Sequence, residues 1–368
     1  MDHHLDELAR LVDTAGAEVV GRLVQPIEAP NPRTYIGSGK TLELAAFVTE
    51  HGASLVIFDE ELTPAQGKHL ERELECRVMD RPEVILDIFA ARARSSEAKL
   101  QVELAQLEYL LPRLARMWVH LSRIRGGIGL RGPGETQIET DRRMIRRRIA
   151  LLKQKLAKVA DHRSVVRSGR QQVLTAALVG YTNAGKSSLL KALTGADPFI
   201  EDRLFATLDT LTRETVLPNS GTRITNHGSR GASGGDVRLR LIDTVGFIRK
   251  LPHSLVASFR ATLEETRLAD VLVHVIDASH PDWEEQVEVV DEVLAELGVA
   301  GIPTIHAFNK MDLLPDPEAF ADRVRASYSR AACVAAGRRE VEELKGELQA
   351  SAAAVLSGRP ANSAAGGS

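Results

Sequence analysis

The stretch that decides the fold of this chain is Gly180–Ser187, Gly-Tyr-Thr-Asn-Ala-Gly-Lys-Ser, which matches the pattern GxxxxGK[ST]. It directly follows the apolar run VLTAALV, a predicted strand, and opens a predicted helix. This context favours phosphate binding, because the loop amides and the helix N-terminus both present positive potential. We expect Lys186 to reach the β- and γ-phosphates of a nucleotide and the Ser187 hydroxyl to bind Mg²⁺.

A second motif lies downstream at Asp243-Thr244-Val245-Gly246, a DxxG at the end of the alternating strand Leu239–Ile242. Its carboxylate is expected to hold the Mg²⁺ shell, and the Gly246 N–H to meet the γ-phosphate. Between the two motifs the chain reads Phe205-Ala206-Thr207-Leu208-Asp209. A switch threonine that completes Mg²⁺ coordination belongs there, and Thr207 is our candidate. The alternative is an ordinary strand position for Thr207 or Thr212.

A third motif, Asn309-Lys310-Met311-Asp312, follows the predicted strand Thr304–Phe308. The aspartate of an NKxD can accept two hydrogen bonds, from the N1–H and the exocyclic amine of guanine. Adenine lacks this donor pair, so a buried carboxylate left unpaired would penalise it. Three motifs in this order, each at a strand end, predict a site that takes GTP as substrate and releases GDP as product.

The sequence therefore predicts three overlapping sets of site residues. Catalytic roles are assigned to Lys186, Thr207 and Gly246, and Mg²⁺ ligation to Ser187, Thr207 and Asp243. The predicted nucleotide contacts are Gly180, Tyr181, Thr182, Asn183, Ala184, Gly185, Lys186, Ser187, Ser188, Phe205, Ala206, Thr207, Leu208, Asp209, Asp243, Thr244, Val245, Gly246, Asn309, Lys310, Met311, Asp312, Ala335 and Ala336.

The position after DxxG bears on the rate of hydrolysis. Ras-like enzymes orient the attacking water with a glutamine there, whereas this chain has Phe247, which cannot do so. Arg249 is the nearby candidate for an internal arginine finger. An arginine finger contributes roughly 10³–10⁵ in rate. We therefore predict slow intrinsic hydrolysis that a partner stimulates.

The alternation of short strands and helices predicts an α/β fold with three parts. These are a small N-terminal α/β domain (1–96), a basic helical hairpin with a glycine-rich tip (97–170) and a doubly wound P-loop GTPase domain (171–357). The small-residue tail 358–368 is predicted to be disordered. The Gly/Ser-rich segment Pro218–Gly235 is predicted to be a hairpin tip between two antiparallel strands.

Within the first two parts the patterns predict specific elements. Strands are expected at Glu18–Val24, Leu55–Phe58 and Arg77–Met79. Helices are expected at Lys40–His51, at Thr63–Leu74 with Thr63 as N-cap and Pro64 at the first helical position, and from Pro82 to about Arg92. A long helix from Glu97 carries leucines spaced by three and four, and Pro112 should kink it. Gly126–Gln137 is too glycine-rich to be helical, and a second helix is expected at about Ile138–Arg163.

Basic charge is concentrated around the second hairpin helix. Residues 113–170 hold 16 Lys and Arg against four Asp and Glu. Such a run without acidic partners four residues away favours a polyanion-binding surface. A solvated helix face is the alternative. The basic residues crowding this helix are Arg142, Arg143, Arg146, Arg147, Arg148, Lys153, Lys155 and Lys158.

The chain resembles the HflX family of GTPases over about Glu18–Asp312. The resemblance rests on GYTNAGKS, FATLD, DTVGFI, LPHSLVASFRATLEE, VIDASHP and NKMD, on TYIGSGK and PAQ near the start, and on KLQVELAQLEYLLPRL and GGIGLRGPGETQIETDRR in the hairpin. It implies binding to the large ribosomal subunit and its rRNA, with the Gly126–Gln137 tip directed toward the peptidyl transferase region. It also implies splitting of stalled or idle ribosomes in the GTP state, and a cytoplasmic location with some membrane association.

Two features depart from the family pattern. The guanine-closing motif, usually SA followed by x-x-G, is eroded to Cys333-Val334-Ala335-Ala336-Gly337, and loss of its serine predicts modest nucleotide affinity. The Pro218–Gly235 insertion is longer than expected and is interpreted as a flexible loop.

Two other functional classes remain open. A ribosome-assembly or dormancy factor would use GTP only to time binding and release. An RNA-modifying P-loop enzyme is the third class, and the sequence has no nucleophilic cysteine constellation to support it.

Composition sets wider bounds. The 368-residue chain is 43% apolar, and its two cysteines, Cys76 and Cys333, have no metal-ligand or redox spacing. These features favour a reducing cytoplasm and free thiols. The polar start MDHHLDELAR is unlike a secretory signal, and no run of about 18 apolar residues occurs. Nothing in the sequence demands more than a monomer.

Overall fold

A computed structural model describes residues 2–117, 133–167, 173–195, 204–205, 211–217, 237–251, 266–267 and 269–358. The chain divides into two compact units. The first is formed mainly by described residues of Met1–Arg163, and the second by those of Ser164–Arg249 and Arg260–Ser368. This division into two units does not test the predicted boundaries of the parts 1–96 and 97–170, which stay predictions.

The first unit begins as a small α/β assembly. Its helices are α1 (Asp2–Thr14), α2 (Ser38–His51), α3 (Pro64–Leu74) and α4 (Arg81–Arg92), and its strands β1 (Leu55–Phe58) and β2 (Arg77–Asp80) pair in parallel. Helix α3 starts as predicted, with Thr63 as N-cap, Pro64 at the first position and a capping box closed by Gln66. The apolar core of this assembly includes Leu70 and Leu74 of α3 and Val78 of β2.

The predicted strand Glu18–Val24 is wrong, because the structure has no strand there. The segment is irregular and exposes Val19, Val20 and Val24, by 40%, 51% and 42%. A short apolar run forms a strand only where a neighbouring strand shares its backbone hydrogen bonds, and the sheet described in this unit holds β1 and β2 alone.

The helical hairpin consists of α5 (Ser96–Met117) and α6 (Pro133–Arg167). Leu104, Leu152 and Leu156 form its buried seam, which confirms an apolar contact between the two helices. Helix α5 continues through Pro112. The kink expected at this residue stays a prediction. The prediction that Gly126–Gln137 is entirely non-helical is wrong at its end, because α6 already begins at Pro133, a residue suited to the first helical turn. The rest of that tip lies outside the described residues.

The second unit contains a six-stranded sheet with the order β4-β5-β3-β6-β7-β8. Its strands are β3 (Leu174–Gly180), β4 (Leu211–Leu217), β5 (Val237–Asp243), β6 (Val271–Asp277), β7 (Thr304–Asn309) and β8 (Ala331–Cys333). Only β4 is antiparallel to its neighbour, β5. The antiparallel pair around the insertion is therefore confirmed, while residues 218–236 and the tail 359–368 lie outside the description.

Helices pack on both faces of this sheet. On one face, α7 (Lys186–Thr194) and α10 (Glu342–Gly358) cover alternate strand residues such as Val273 and Ile305. On the other face, α8 (Trp283–Glu296) and α9 (Pro317–Ser327) enclose Phe308. The doubly wound α/β prediction is confirmed, and it places the ends of β3, β5 and β7 at one edge, where such folds bind ligands.

None of the helices in the described part of the chain is both long and apolar enough to cross a membrane. Both cysteines are free thiols.

Candidate functional site

The predicted phosphate loop connects β3 to α7. Helix α7 begins at Lys186, and Gly185 is its N-cap with a left-handed φ of 95°. A Cβ atom on Gly185 would lie 2.2 Å from Asn309 Nδ2, so only glycine fits at this point. That Asn309 nitrogen donates a hydrogen bond to the Ala184 carbonyl at 2.9 Å. The side chain of the NKxD asparagine therefore binds the backbone of the phosphate loop directly.

Lys186 is buried at the centre of this loop. Its Nζ donates hydrogen bonds to the carbonyl oxygens of Gly180 at 3.0 Å and Tyr181 at 2.8 Å. Burial lowers the pKa of the Lys186 ammonium to about 8, and the Asp243 carboxylate offsets part of that shift. A buried ammonium whose described hydrogen bonds go to carbonyl oxygens is well placed to accept an anionic partner.

Ser187, in the first turn of α7, lies beside Asp243, the last residue of β5. The Ser187 hydroxyl donates to Asp243 Oδ2 at 2.6 Å, and the Asp243 side chain is fully buried. Next to it, the Thr244 hydroxyl donates to the Leu178 carbonyl at 2.7 Å and fixes the start of the DxxG segment. A hydroxyl beside a carboxylate is the oxygen donor set that Mg²⁺ takes in nucleotide sites. The residues present therefore fit the ion.

The end of the DxxG segment is bound to the phosphate loop by its backbone. The Thr182 N–H donates to the Phe247 carbonyl at 2.7 Å, and the Phe247 N–H donates to the Gly180 carbonyl at 3.1 Å. A Cβ atom on Gly246 would lie 2.7 Å from Thr182 Cα and 3.0 Å from Lys186 Nζ. The approach of the two segments requires glycine at 246.

The side chain of Phe247 is 2% exposed and forms part of the interior. Arg249, the candidate internal finger, has its guanidinium in an ion pair with Glu285 of α8 at 2.8 Å. The backbone N–H of Arg249 also donates to the Tyr181 hydroxyl oxygen at 2.9 Å. Arg249 therefore contacts both Tyr181 of the phosphate loop and Glu285 of α8.

The predicted switch segment is described only in part. The Phe205 N–H donates to the Thr182 hydroxyl oxygen at 3.1 Å, and Phe205 is buried. This contact places the start of the segment beside the phosphate loop. Ala206, Thr207, Leu208 and Asp209 lie outside the described residues.

The predicted base-binding end is built around Asn309, at the end of β7. Asn309 Oδ1 accepts a hydrogen bond from the Ala336 N–H at 3.0 Å, so one amide side chain joins the phosphate loop to the closing loop. The Met311 N–H donates to the Val334 carbonyl at 3.2 Å, and Lys310 Nζ donates to Asp277 Oδ2 at 2.6 Å. These bonds hold the NKxD segment and the eroded closing motif together.

Asp312 lies in a short 3-10 turn, Met311–Leu313, with its side chain 18% exposed. Its Oδ2 is 3.4 Å from Nε of Arg338, a residue that motif reasoning did not select. The available signal was a cation two positions after Ala336, inside the closing loop. Motif reasoning also missed that Asn309 bridges the two ends of the site and that the Phe247 backbone binds the phosphate loop.

Comparisons with known proteins agree with this geometry. Three family sequence models match the chain, described as GTP-binding GTPase N-terminal (residues 2–90), GTP-binding GTPase Middle Region (92–170) and 50S ribosome-binding GTPase (175–310). The crystal structure of SsGBP with GDP covers 95% of this chain and 95% of its own, with 28% identity and a TM-score of 0.50.

Curated relatives named GTPase HflX are similar over most of the chain. The protein from Caldanaerobacter subterraneus subsp. tengcongensis is 53% identical over 312 residues, which are 84% of this chain and 69% of that protein. The Flavobacterium psychrophilum protein is 49% identical, over 85% of this chain and 71% of that protein. The Escherichia coli K12 protein is 49% identical, over 87% and 72%. With a phosphate loop, a DxxG and an NKxD in one site, this chain belongs to the HflX family of GTPases.

Proposed function

We propose that this GTPase binds the large ribosomal subunit and its rRNA, and splits stalled or idle ribosomes in the GTP state. The observation that carries the proposal is the basic surface of α6. Arg143, Arg146, Arg147, Lys155 and Lys158 are exposed there. The family description of a 50S ribosome-binding GTPase and the name GTPase HflX of the relatives support the same assignment.

Two other exposed cations of α6 pair with α5. Arg148 contacts Glu103 at 2.6 Å, and Lys153 contacts Glu108 at 2.8 Å. These two ion pairs join the helices of the hairpin. The five cations named above take no part in these pairs, and they concentrate positive charge on the surface of α6, as expected of a surface that binds phosphates.

In the proposed nucleotide site the chain's own residues divide the work. Lys186 turns from the loop carbonyls toward the β- and γ-phosphates, and the loop amides from Asn183 to Ser187 surround them. Ser187 and Asp243, with Thr207, hold Mg²⁺, which neutralises charge on the phosphate oxygens when bound. Asp312 accepts from the guanine edge, while Asn309 and the Ala335–Ala336 backbone hold the closing loop.

Slow intrinsic hydrolysis is part of the proposal. Phe247 offers no group to orient water, and its backbone is fixed to the loop by two hydrogen bonds. Arg249 is engaged with Glu285, so the transition-state charge has to be met by a group from the partner. We expect ribosomes to raise single-turnover hydrolysis by at least about 10³-fold, the lower end of the range for partner-supplied stabilisation. Fast turnover by the protein alone would contradict this.

The experiment is sucrose-gradient analysis of 70S ribosomes incubated with the protein and a non-hydrolysable GTP analogue. A splitting factor releases free 30S and 50S particles with the analogue and not with GDP. The variant Lys186→Ala, which removes the phosphate contact, should leave 70S particles intact. If the protein co-sediments with 50S particles but releases none from 70S, the assembly or dormancy alternative replaces the splitting proposal.

The basic surface needs its own test. Ribosome binding should weaken about 10³-fold between 50 and 200 mM salt if about six phosphates are contacted. Alanine at Arg143, Arg146 and Arg147 should reduce both the affinity and its salt dependence. A matched control removes three exposed arginines elsewhere, Arg10, Arg213 and Arg323. Equal losses in the two triple variants would contradict a specific rRNA surface on α6.

A further inference from the structure

The closing loop after β8 is held in one conformation by its own backbone. Ala335 and Glu340 form a two-way bridge, with N–H to carbonyl distances of 2.9 and 3.1 Å. Between them, Ala336–Arg338 makes a single 3-10 turn, and the following Arg339 has a left-handed φ of 63°. The Ala336 N–H is bound by Asn309. Arg338 is therefore presented from a fixed turn.

The side chain of Arg338 reaches the carboxylate of the NKxD motif. Its Nε lies 3.4 Å from Asp312 Oδ2, and its side chain is 62% exposed against 18% for Asp312. Among the described residues, Arg338 is the side chain that forms an ion pair with Asp312. The closing motif Cys333–Gly337 contains no serine, so it offers no hydroxyl that could donate a hydrogen bond to Asp312.

We propose that Arg338 is a positioning residue for guanine specificity, which holds the Asp312 carboxylate in the orientation that reads the base. This inference rests on the proposed guanine site. An ionised carboxylate has about four lone-pair positions, so Oδ2 can accept from Arg338 and from a guanine N–H together. The guanidinium is always charged and rigid, which suits it to a partly exposed site.

The main test is the variant Arg338→Ala, with fluorescent mant-GDP and mant-IDP as probes. Inosine keeps the N1–H but lacks the exocyclic amine of guanine, so it depends on only one of the two hydrogen bonds to Asp312. We expect the affinity for mant-GDP to fall about fivefold, the upper range for a partly exposed pair, and the affinity for mant-IDP to fall less. The preference for guanine over hypoxanthine should therefore shrink.

Rescue and control variants separate positioning from folding. The variant Arg338→Lys, which keeps a cation at this position, should retain most of the preference. Arg323→Ala, an exposed arginine on α9, should leave both affinities within twofold of wild type.

The outcomes are distinguishable from failure of the guanine site itself. If the wild-type protein binds neither mant-GDP nor mant-GTP, the nucleotide site proposal fails. If the wild type binds and Arg338→Ala binds within twofold of it, the ion pair is a surface contact only and the inference is overturned. Equal losses for mant-GDP and mant-IDP that Arg338→Lys does not relieve also overturn it, because they indicate a structural role.

Discussion

The two ends of the proposed nucleotide site differ in how far they keep to the usual motif. At the phosphate end, Gly180–Ser187 and Asp243–Gly246 match their patterns residue for residue. At the base end, Asn309–Asp312 matches, but the closing motif has lost its serine and carries Arg338 beside Asp312. The phosphate end therefore follows its motif patterns throughout, whereas the base end departs from its pattern in the closing loop.

The difference has a physical reason. Recognition of phosphate depends on backbone amides, and the positions of those amides depend on glycines that have no room for a Cβ atom, as at Gly185 and Gly246. Recognition of the base depends on one carboxylate whose direction matters, and either a hydroxyl or a guanidinium can donate to it. Side-chain support can be exchanged more easily than backbone geometry.

The largest effect is expected at the phosphate end. Lys186→Ala removes a buried ammonium whose hydrogen bonds to phosphate are charge-assisted, each worth about 1.5–3 kcal/mol. We expect the affinity for GDP and GTP to fall at least about 100-fold by isothermal titration calorimetry. Lys345→Ala, a lysine on α10 paired with Glu342, is the control and should bind as wild type does. If Lys186→Ala lowered the affinity for GDP and GTP by less than tenfold, the loop amides rather than Lys186 would provide most of the phosphate binding.

The second effect tests the base end. Asp312→Asn replaces an acceptor by an amide that can donate to the 2-oxo group of xanthine, so preference should move from GDP toward XDP. One unpaired buried group costs about 1–3 kcal/mol, which predicts that GDP affinity falls by about 10- to 100-fold. Unchanged GDP affinity in this variant would remove Asp312 from the site and would end the comparison between the two ends.

How much of this could be predicted from sequence depended on whether a pattern was local or required a partner. The Thr63 N-cap and Pro64 start of α3 are local signals, and the structure confirms them. The strand at Glu18–Val24 needed a neighbour that the sequence cannot supply, and it did not form. The start of α6 at Pro133 was missed because the glycines around it obscured a proline suited to a first turn.

The same distinction applies to the site. The motifs gave the residue types at the phosphate end because glycine, lysine and serine occur there at fixed spacing. They could not give the contact between Asn309 and Ala184, which are 125 residues apart, or that between Arg338 and Asp312. These contacts depend on which strand ends the sheet order brings together.

A third prediction tests the sheet on which both ends rest. His274 on β6 is buried next to His306, and its Nδ1 is 3.7 Å from the Asp291 carboxylate. Burial chiefly lowers its pKa to about 3, with smaller effects of His306 and Lys186. Because the unfolded chain binds the proton first, stability is present at neutral pH and is lost as pH falls from about 6.5 toward 3.

Chemical denaturation measured at pH 7.5 and 5.0 checks this. Wild type should lose about 2 kcal/mol through His274 over that interval, and His274→Leu should lose that much less than wild type. Above pH 7.5 the two proteins should respond alike. If both lose the same free energy between pH 7.5 and 5.0, His274 is not the group that takes up the proton.

The smallest predicted effect separates the two ends by pH. The pKa of Lys186 is lowered to about 8 by burial, so at pH 7 most of the protein already carries the ammonium that phosphate needs. At pH 8.5 about three quarters of the protein has lost this proton, and binding must first take the proton back, which predicts an affinity for mant-GDP about fourfold lower.

Guanine also loses its N1 proton in alkaline solution, so Lys186→Ala supplies the baseline, because it retains the base end and lacks the lysine. A fourfold loss in wild type that is absent from Lys186→Ala assigns the pH dependence to the phosphate end. The same loss in both proteins would place it at the base end, where Asp312 reads that N1 proton.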